Sequence, residues 1–336
     1  MKTGVLLINL GTPDSPAPKD VKRYLIEFLT DGRVIDLPWL QRQVLVRGFI
    51  VPRRYKISAK AYKEIWTCEG GPLLMHGKRL KIALQKELGE VFEVELAMRY
   101  QNPSIEVGLN SLIQKGVSKV IILPLFPHYA SATTGSVQQK VMEILSKRQI
   151  IPKVTFIDQY CDHPGLIDAF CASAKAHTIS DYDHVLFSFH GLPERQLTKV
   201  DCNKHCLKSA TCCEKIAANN KNCYAAQCYA TANAIAKNLQ LSKENYTISF
   251  QSRLGKEPWL QPYTAQTIID FAKNKKEKIL VFCPSFVCDC LETLYEINVE
   301  YTEDFKKAGG KQLTLVDGLN DSLTWVQGLR KIIHEA

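Results

Sequence analysis

Runs of strand length alternate with stretches of helical spacing from one end of the chain to the other. That alternation restricts the fold more than any other feature. Val5–Leu10, Glu93–Met98, Ser118–Leu123 and Val154–Asp158 read as strands in the first half, and His184–Phe189, Tyr246–Phe250, Lys278–Cys283 and Gln312–Val316 in the second. Val5–Ile8 and Val120–Phe126 are continuously apolar, as buried strands are. Pro18–Leu29, Leu74–Leu88, Ser104–Lys115 and Ser136–Ser146 carry helical spacing between them. Strand and helix in this order predict an α/β protein whose parallel sheets are covered by helices on both faces. A length of 336 residues is more than one ordinary core needs, and it suggests two domains or one large α/β unit.

The chain also echoes itself. Val5–Pro13 (VLLINLGTP) is answered by Val185–Pro193 (VLFSFHGLP), and Lys119–Pro124 by Lys278–Pro284. Buried strands can resemble one another by chance, but two such echoes in order suggest two Rossmann-like domains that arose by duplication. We place them at 1–160 and 161–320, with residues 321–336 forming a helix (Ser322–His334) that returns to the first domain. Residues 31–75 look like added material. There Trp39, Leu40, Val44, Leu45, Phe49 and Ile50 are interleaved with Arg42, Arg47, Arg53 and Arg54. An amphipathic lip meeting a membrane or an apolar ligand fits this pattern, and a helix packed on its own domain is the plainer reading.

No stretch reaches the ~18 consecutive apolar residues of a membrane-spanning helix. Met1–Leu10 runs into Gly11-Thr12-Pro13 and reads as a first strand rather than a signal peptide. A cytoplasmic location follows as an expectation, with peripheral contact at the inner face of the membrane. A reducing compartment does not favour structural disulfides, so the 12 cysteines need another purpose. Six of them crowd into residues 202–228 with the spacing C-x3-C-x5-C-C-x9-C-x4-C. The net charge of +9 suits an anionic ligand, an acidic membrane surface or nucleic acid, although the basic residues are spread along the chain.

Ligands of open parallel sheets bind beyond the carboxyl ends of the strands. Three segments put reactive residues there. His184–Phe189 delivers His190 at a strand end, directly before Gly191. Lys278–Cys283 leads to a helix expected to begin near Cys288, which carries Glu292, Glu296 and Glu300 at four-residue intervals. Acids so spaced form a slowly drifting row, and without a basic partner four residues on they repel one another. A solvated acidic face is the plain explanation. The alternative is a path for a divalent cation, and an imidazole facing a carboxylate suits a first-row metal such as Fe²⁺. The third segment, Leu125–Ser136, has Ser131, Thr133, Thr134 and Gly135 ahead of a helix, where they can cap it or bind an anion.

With these stretches assembled, the chain resembles the ferrochelatases over nearly its whole length. The matching motifs are Leu7–Pro13 (LINLGTP), Leu123–Ser136 (LPLFPHYASATTGS), Ser188–Arg195 (SFHGLPER), Phe250–Tyr263 (FQSRLGKEPWLQPY) and Cys283–Ile297 (CPSFVCDCLETLYEI). The resemblance implies insertion of Fe²⁺ into protoporphyrin IX, held in a cleft between two Rossmann-like domains. It implies His190 and Glu292 as the catalytic pair that also handles the iron, with Glu296 and Glu300 along the metal path. Leu10, Tyr129 and Trp259 would line the porphyrin site, and Arg53 or Arg54 would meet its propionates. Leu10 stands where relatives acting on coproporphyrin often have Tyr, which favours the protoporphyrin type.

Plain members of this family are shorter around residues 202–222, so that segment reads as an insertion. Some cysteine-bearing members hold a 2Fe–2S cluster, and the expected ligands here are Cys202, Cys206, Cys213 and Cys223, with Cys212 in reserve. A zinc site of four thiolates is the alternative. The rival functions are a coproporphyrin ferrochelatase, a cobalt or nickel tetrapyrrole chelatase, and a metal-sulfur or nucleic-acid-binding module. The last leaves His190, the acid row and both α/β halves unexplained, so no nucleic-acid partner is expected. The sequence does not give the oligomeric state.

Overall fold

The computed structural model describes residues 2–209 and 211–336. Met1, at the start of the expected first domain, and Ala210, inside the expected insertion, lie outside the described residues. The strands are β1 (Thr3–Gly11), β2 (Phe92–Tyr100), β3 (Lys119–Pro124), β4 (Lys153–Phe156), β5 (His184–His190), β6 (Tyr246–Gln251), β7 (Lys278–Phe282) and β8 (Gln312–Leu315). Among the described residues they form two four-stranded sheets, ordered β2-β1-β3-β4 and β6-β5-β7-β8, with every pairing parallel. The α/β reading holds, and each half uses the same strand order. The last strand of the first half lies slightly earlier than its apolar run, at Lys153–Phe156 rather than Val154–Asp158.

Helices α1 (Pro18–Leu29), α2 (Trp39–Val44), α3 (Val51–Ile65), α4 (Pro72–Leu88), α5 (Ile105–Gln114) and α6 (Ser136–Leu145) occupy the first half. In the second lie α7 (Pro164–Ala174), α8 (Glu194–Val200), α9 (Tyr224–Asn238), α10 (Thr264–Lys273) and α11 (Thr302–Lys307), and α12 (Leu323–His334) follows. Local chemistry sets the helix ends. Pro18, Pro72 and Pro164 open α1, α4 and α7, where a missing N–H costs nothing. The Ser104 hydroxyl caps α5 by accepting the Val107 N–H at 3.3 Å.

The chain divides into two compact units: residues 1–126, 130–158 and 320–336, and residues 127–129 with 159–319. In the first, Leu6, Ile8, Val120 and Ile122 of the sheet pack against Leu109, Leu112, Val137 and Val141 of α5 and α6. Helix α12 packs on α4 of the same unit, burying Trp325, Leu329 and Ile333. Each such side chain contributes about 1.5–3 kcal/mol by leaving water. Arg330 reaches Glu87 at 3.0 Å across that contact. Gly11, at φ 121°, is required where β1 meets β2, because a Cβ there would sit 2.1 Å from the Tyr100 carbonyl oxygen. In the second unit, Leu186, Ile279 and Val281 pack against Ile268, Ile297 and Phe305.

Residues 31–75 of the first unit form α2, a π-helical turn at Leu45–Ile50, and α3. Val46 and Val51 are buried with Leu29, which seats the segment. Trp39, Leu40, Val44 and Phe49 remain 50–67% exposed. Among the described residues no helix is long and apolar enough to cross a membrane.

The acid-bearing helix differs from its expected form. Cys288, Asp289 and Cys290 are not helical, and Glu292–Tyr301 is a π-helix with i→i+5 hydrogen bonds. A π turn takes more than four residues, so side chains four apart drift in the opposite sense to those of an α-helix.

Candidate active site

His190 is the last residue of β5, at the carboxyl edge of the second sheet. Its Nδ1 lies 2.6 Å from the Gly191 carbonyl oxygen, an atom that can only accept, so Nδ1 carries the proton and Nε2 the lone pair. The Tyr224 hydroxyl donates to the His190 carbonyl at 2.8 Å and lies 3.0 Å from Ser285 Oγ, which accepts the His190 N–H at 3.3 Å. Trp259 and Phe286 flank the imidazole with ring centroids 6.4 and 6.2 Å away. Trp259 is buried, and its indole N–H has no hydrogen-bond partner.

Glu292 starts the π-helix and is half-buried. Its side chain is hydrogen-bonded to Cys290, whose thiol burial keeps protonated by pushing it well above the usual range. Glu296 is engaged by Gln251, Ser252 and Tyr301, while Glu300 is exposed further along. The structure therefore separates the three acids by environment, although the sequence spaced them evenly.

The proposed porphyrin contacts fall on several elements. Tyr129, whose N–H donates to Gln227 Oε1 at 2.6 Å, and Trp259 belong to the second unit. Leu10 is half-buried near the end of β1, and Arg53 and Arg54 are exposed on α3, both in the first unit. Arg53 stacks over Phe49 at 5.6 Å. The polar run before α6 is largely structural. Ser131 accepts from Arg33, and Ser136 joins Arg99 and Tyr100 around the Asp31 carboxylate, while Thr134 is buried without a partner.

In the cysteine segment, Cys212 and Cys213 have their sulfurs 3.4 Å apart, and Cys213 and Cys223 theirs 4.0 Å apart. Cys206 is hydrogen-bonded to Cys223 as well. Cys202, expected among the ligands, is exposed, and Cys212, expected in reserve, has its sulfur beside that of Cys213. The Cys206–Cys212 loop folds back through the Leu207 N–H, which donates to Cys212 Sγ at 3.3 Å. Hydrogen bonds from Cys213 and from N–H groups at the start of α9 hold the Cys223 thiol low. Among the described residues no group of three or more His, Cys, Asp or Glu is already arranged to hold a metal ion. Cys223 directly precedes Tyr224, so the thiols sit one residue from a side chain that holds His190.

Sequence reasoning missed Tyr224, Ser285 and Gln251. Gln251 lay inside the FQSRLG motif, which was its only signal.

A family model described as Ferrochelatase matches residues 2–336. The chain belongs to the ferrochelatase family. Ferrochelatase of Legionella pneumophila (strain Lens) is 44% identical over 335 residues, covering 100% of this chain and 99% of that protein. The ferrochelatases of Pseudomonas fluorescens and Coxiella burnetii (strain Dugway 5J108-111) are 42% and 41% identical, covering 99% and 100% of this chain and 97% and 94% of theirs. Among solved structures, SirB of Bacillus subtilis with Fe³⁺ superposes with a TM-score of 0.56 at 12% identity, covering 100% of this chain and 95% of that one. That likeness shows a shared chelatase fold.

Proposed function

We propose that this ferrochelatase-family chain inserts Fe²⁺ into protoporphyrin IX, releasing two protons and forming protohaem, the terminal step of haem biosynthesis. The observation that carries the reading is His190: a strand-end imidazole whose Nδ1 proton is committed to Gly191, leaving Nε2 to accept a pyrrole proton. Glu292 is its partner in receiving the metal and passing protons out, and the exposed Glu300 meets the incoming cation. Glu296 is taken up below.

Flat macrocycles offer metals poor access to their nitrogens, and distorting one draws about 1–5 kcal/mol from contacts elsewhere on the ring. Leu10, Tyr129 and Trp259 are the proposed apolar contacts. Arg53 and Arg54 are the proposed propionate partners, since guanidinium matches carboxylate geometry. The exposed Trp39, Leu40, Val44 and Phe49, with arginines among them, support peripheral contact with a cytoplasmic membrane face.

We take Cys206, Cys212, Cys213 and Cys223 as the donor set for a 2Fe–2S cluster, which needs four thiolates, because their thiols are linked pairwise from Cys206 to Cys223, Cys213 and Cys212. Such a cluster supplies one-electron redox chemistry and ties its loop down. Anaerobic incubation with Fe²⁺ and protoporphyrin should produce the haem absorption spectrum. A folded protein that yields no haem would overturn the reading.

A further inference from the structure

Gln251 ends β6 and pairs in register with His190 on β5. Its side chain is buried, at 1% exposure, and every polar atom is committed. Oε1 accepts from Ser188 Oγ at 2.7 Å. Nε2 donates to the Glu292 backbone carbonyl at 3.0 Å and to Glu296 Oε2 at 3.2 Å. The Gln251 main-chain carbonyl accepts the Gly191 N–H at 2.9 Å. One residue thus joins the strand that ends in His190 to the helix that begins at Glu292.

Glu296 closes the join. Its Oε1 accepts from the Ser252 N–H at 2.9 Å and the Tyr301 hydroxyl at 2.8 Å, and its Oε2 from Ser252 Oγ at 2.5 Å. With Gln251 that makes four donors, about as many as a carboxylate can accommodate. Ser252 sits at φ 65°, a left-handed conformation unfavourable to residues other than glycine, and both of its donors on one carboxylate hold it there. A carboxylate so occupied would have to shed its donors to bind iron.

We propose that Gln251, Ser252, Glu296 and Tyr301 form a positioning clamp that fixes Glu292 relative to His190. Glu296 then serves through the clamp and not as a stop on the iron's route. The assignment rests on the His190–Glu292 reading above.

Steady-state kinetics varying Fe²⁺ and porphyrin separately test it, with a thermal midpoint recorded for each variant. A misplacement of reacting groups costs on the order of 10²-fold, so Gln251→Ala and Glu296→Gln should lower kcat by about that much and leave the KM for Fe²⁺ within about twofold. Tyr301→Phe removes one remote donor and should show the same split, more weakly, with its thermal midpoint unchanged. The Gln251→Ala/Glu296→Gln double variant should be no slower than the worse single one, because the two act as a unit. A raised KM for Fe²⁺ with normal kcat in Glu296→Gln, together with a silent Tyr301→Phe, would overturn the clamp and leave the function standing. A wild-type protein that forms no haem would overturn the function, and the clamp's role with it.

Discussion

A base works only if its lone pair faces the proton, and the proposed base, His190, has its Nε2 left for this because Nδ1 bonds its own neighbour's carbonyl. Gly191 is small for the same reason: a Cβ there would stand 2.9 Å from the Gln251 carbonyl oxygen and 3.2 Å from the Trp259 ring. Replacing His190 with Ala should cut metal insertion by roughly 10²–10⁴-fold. Porphyrin binding, followed by fluorescence, should survive the change, and near-normal turnover would mean another base does the work. Glu292→Gln keeps the shape and removes the charge, so turnover should collapse while the thermal midpoint stays put. Position alone drew attention to both residues, one at a strand end before glycine and one in a row of acids, and their proposed roles come from the family motifs. Position did not single out Gln251 and Tyr224. Their importance lies in partners distant in sequence, such as Tyr224's bond to His190, and a lone Gln or Tyr advertises none of that.

Elements were more readable than side chains wherever burial is two-sided. The central strands β1, β3, β5 and β7 could be placed from their apolar runs, because a parallel strand covered on both faces has little polar alternation, while the edge strands, such as Gln312–Leu315, alternate. The π-helix was another matter. Its sequence fits α spacing as well as π, and contacts the sequence does not display, such as those of Gln251 with Glu292 and Glu296, hold the helix as it stands. The cysteine segment shows the same limit, since the spacing left Cys202 and Cys212 as alternatives while the fold sets the Cys212 sulfur beside that of Cys213. Protein isolated without oxygen should carry two irons and two labile sulfides per chain. Cys212→Ala with Cys223→Ala should abolish the visible colour, and Cys202→Ala should spare it. One zinc and no sulfide in the metal analysis would sink the cluster and favour a structural zinc site.

At the scale of the whole molecule, burial of His128 and His184 favours the neutral form of both rings. Burial pushes His128 down to about 3, and burial with the nearby Lys276 ammonium pushes His184 down to about 4. In the unfolded chain both titrate near 6.5. Between pH 6.5 and 4 the unfolded state therefore takes up protons that the folded state refuses, and stability falls as pH falls. Further down, Glu95 acts in the same direction. Despite the cost of its burial, Lys115, Lys81 and Ser111 hold it at about 2. The urea midpoint should be lower at pH 5 than at pH 7.5, and His184→Gln should flatten part of that slope. A midpoint that rises on acidification would contradict the buried neutral state of both rings.

The first unit is assembled from segments separated by most of the second, and α12 comes last. A ribosome delivers residues 159–319 before it delivers 320–336. The second unit can close on the emerging chain while α4 still lacks the Trp325, Leu329 and Ile333 that will cover it. For that interval the nascent polypeptide presents an uncovered apolar helix face, the kind of surface that chaperones bind. A stop codon after Leu319 would make that state permanent.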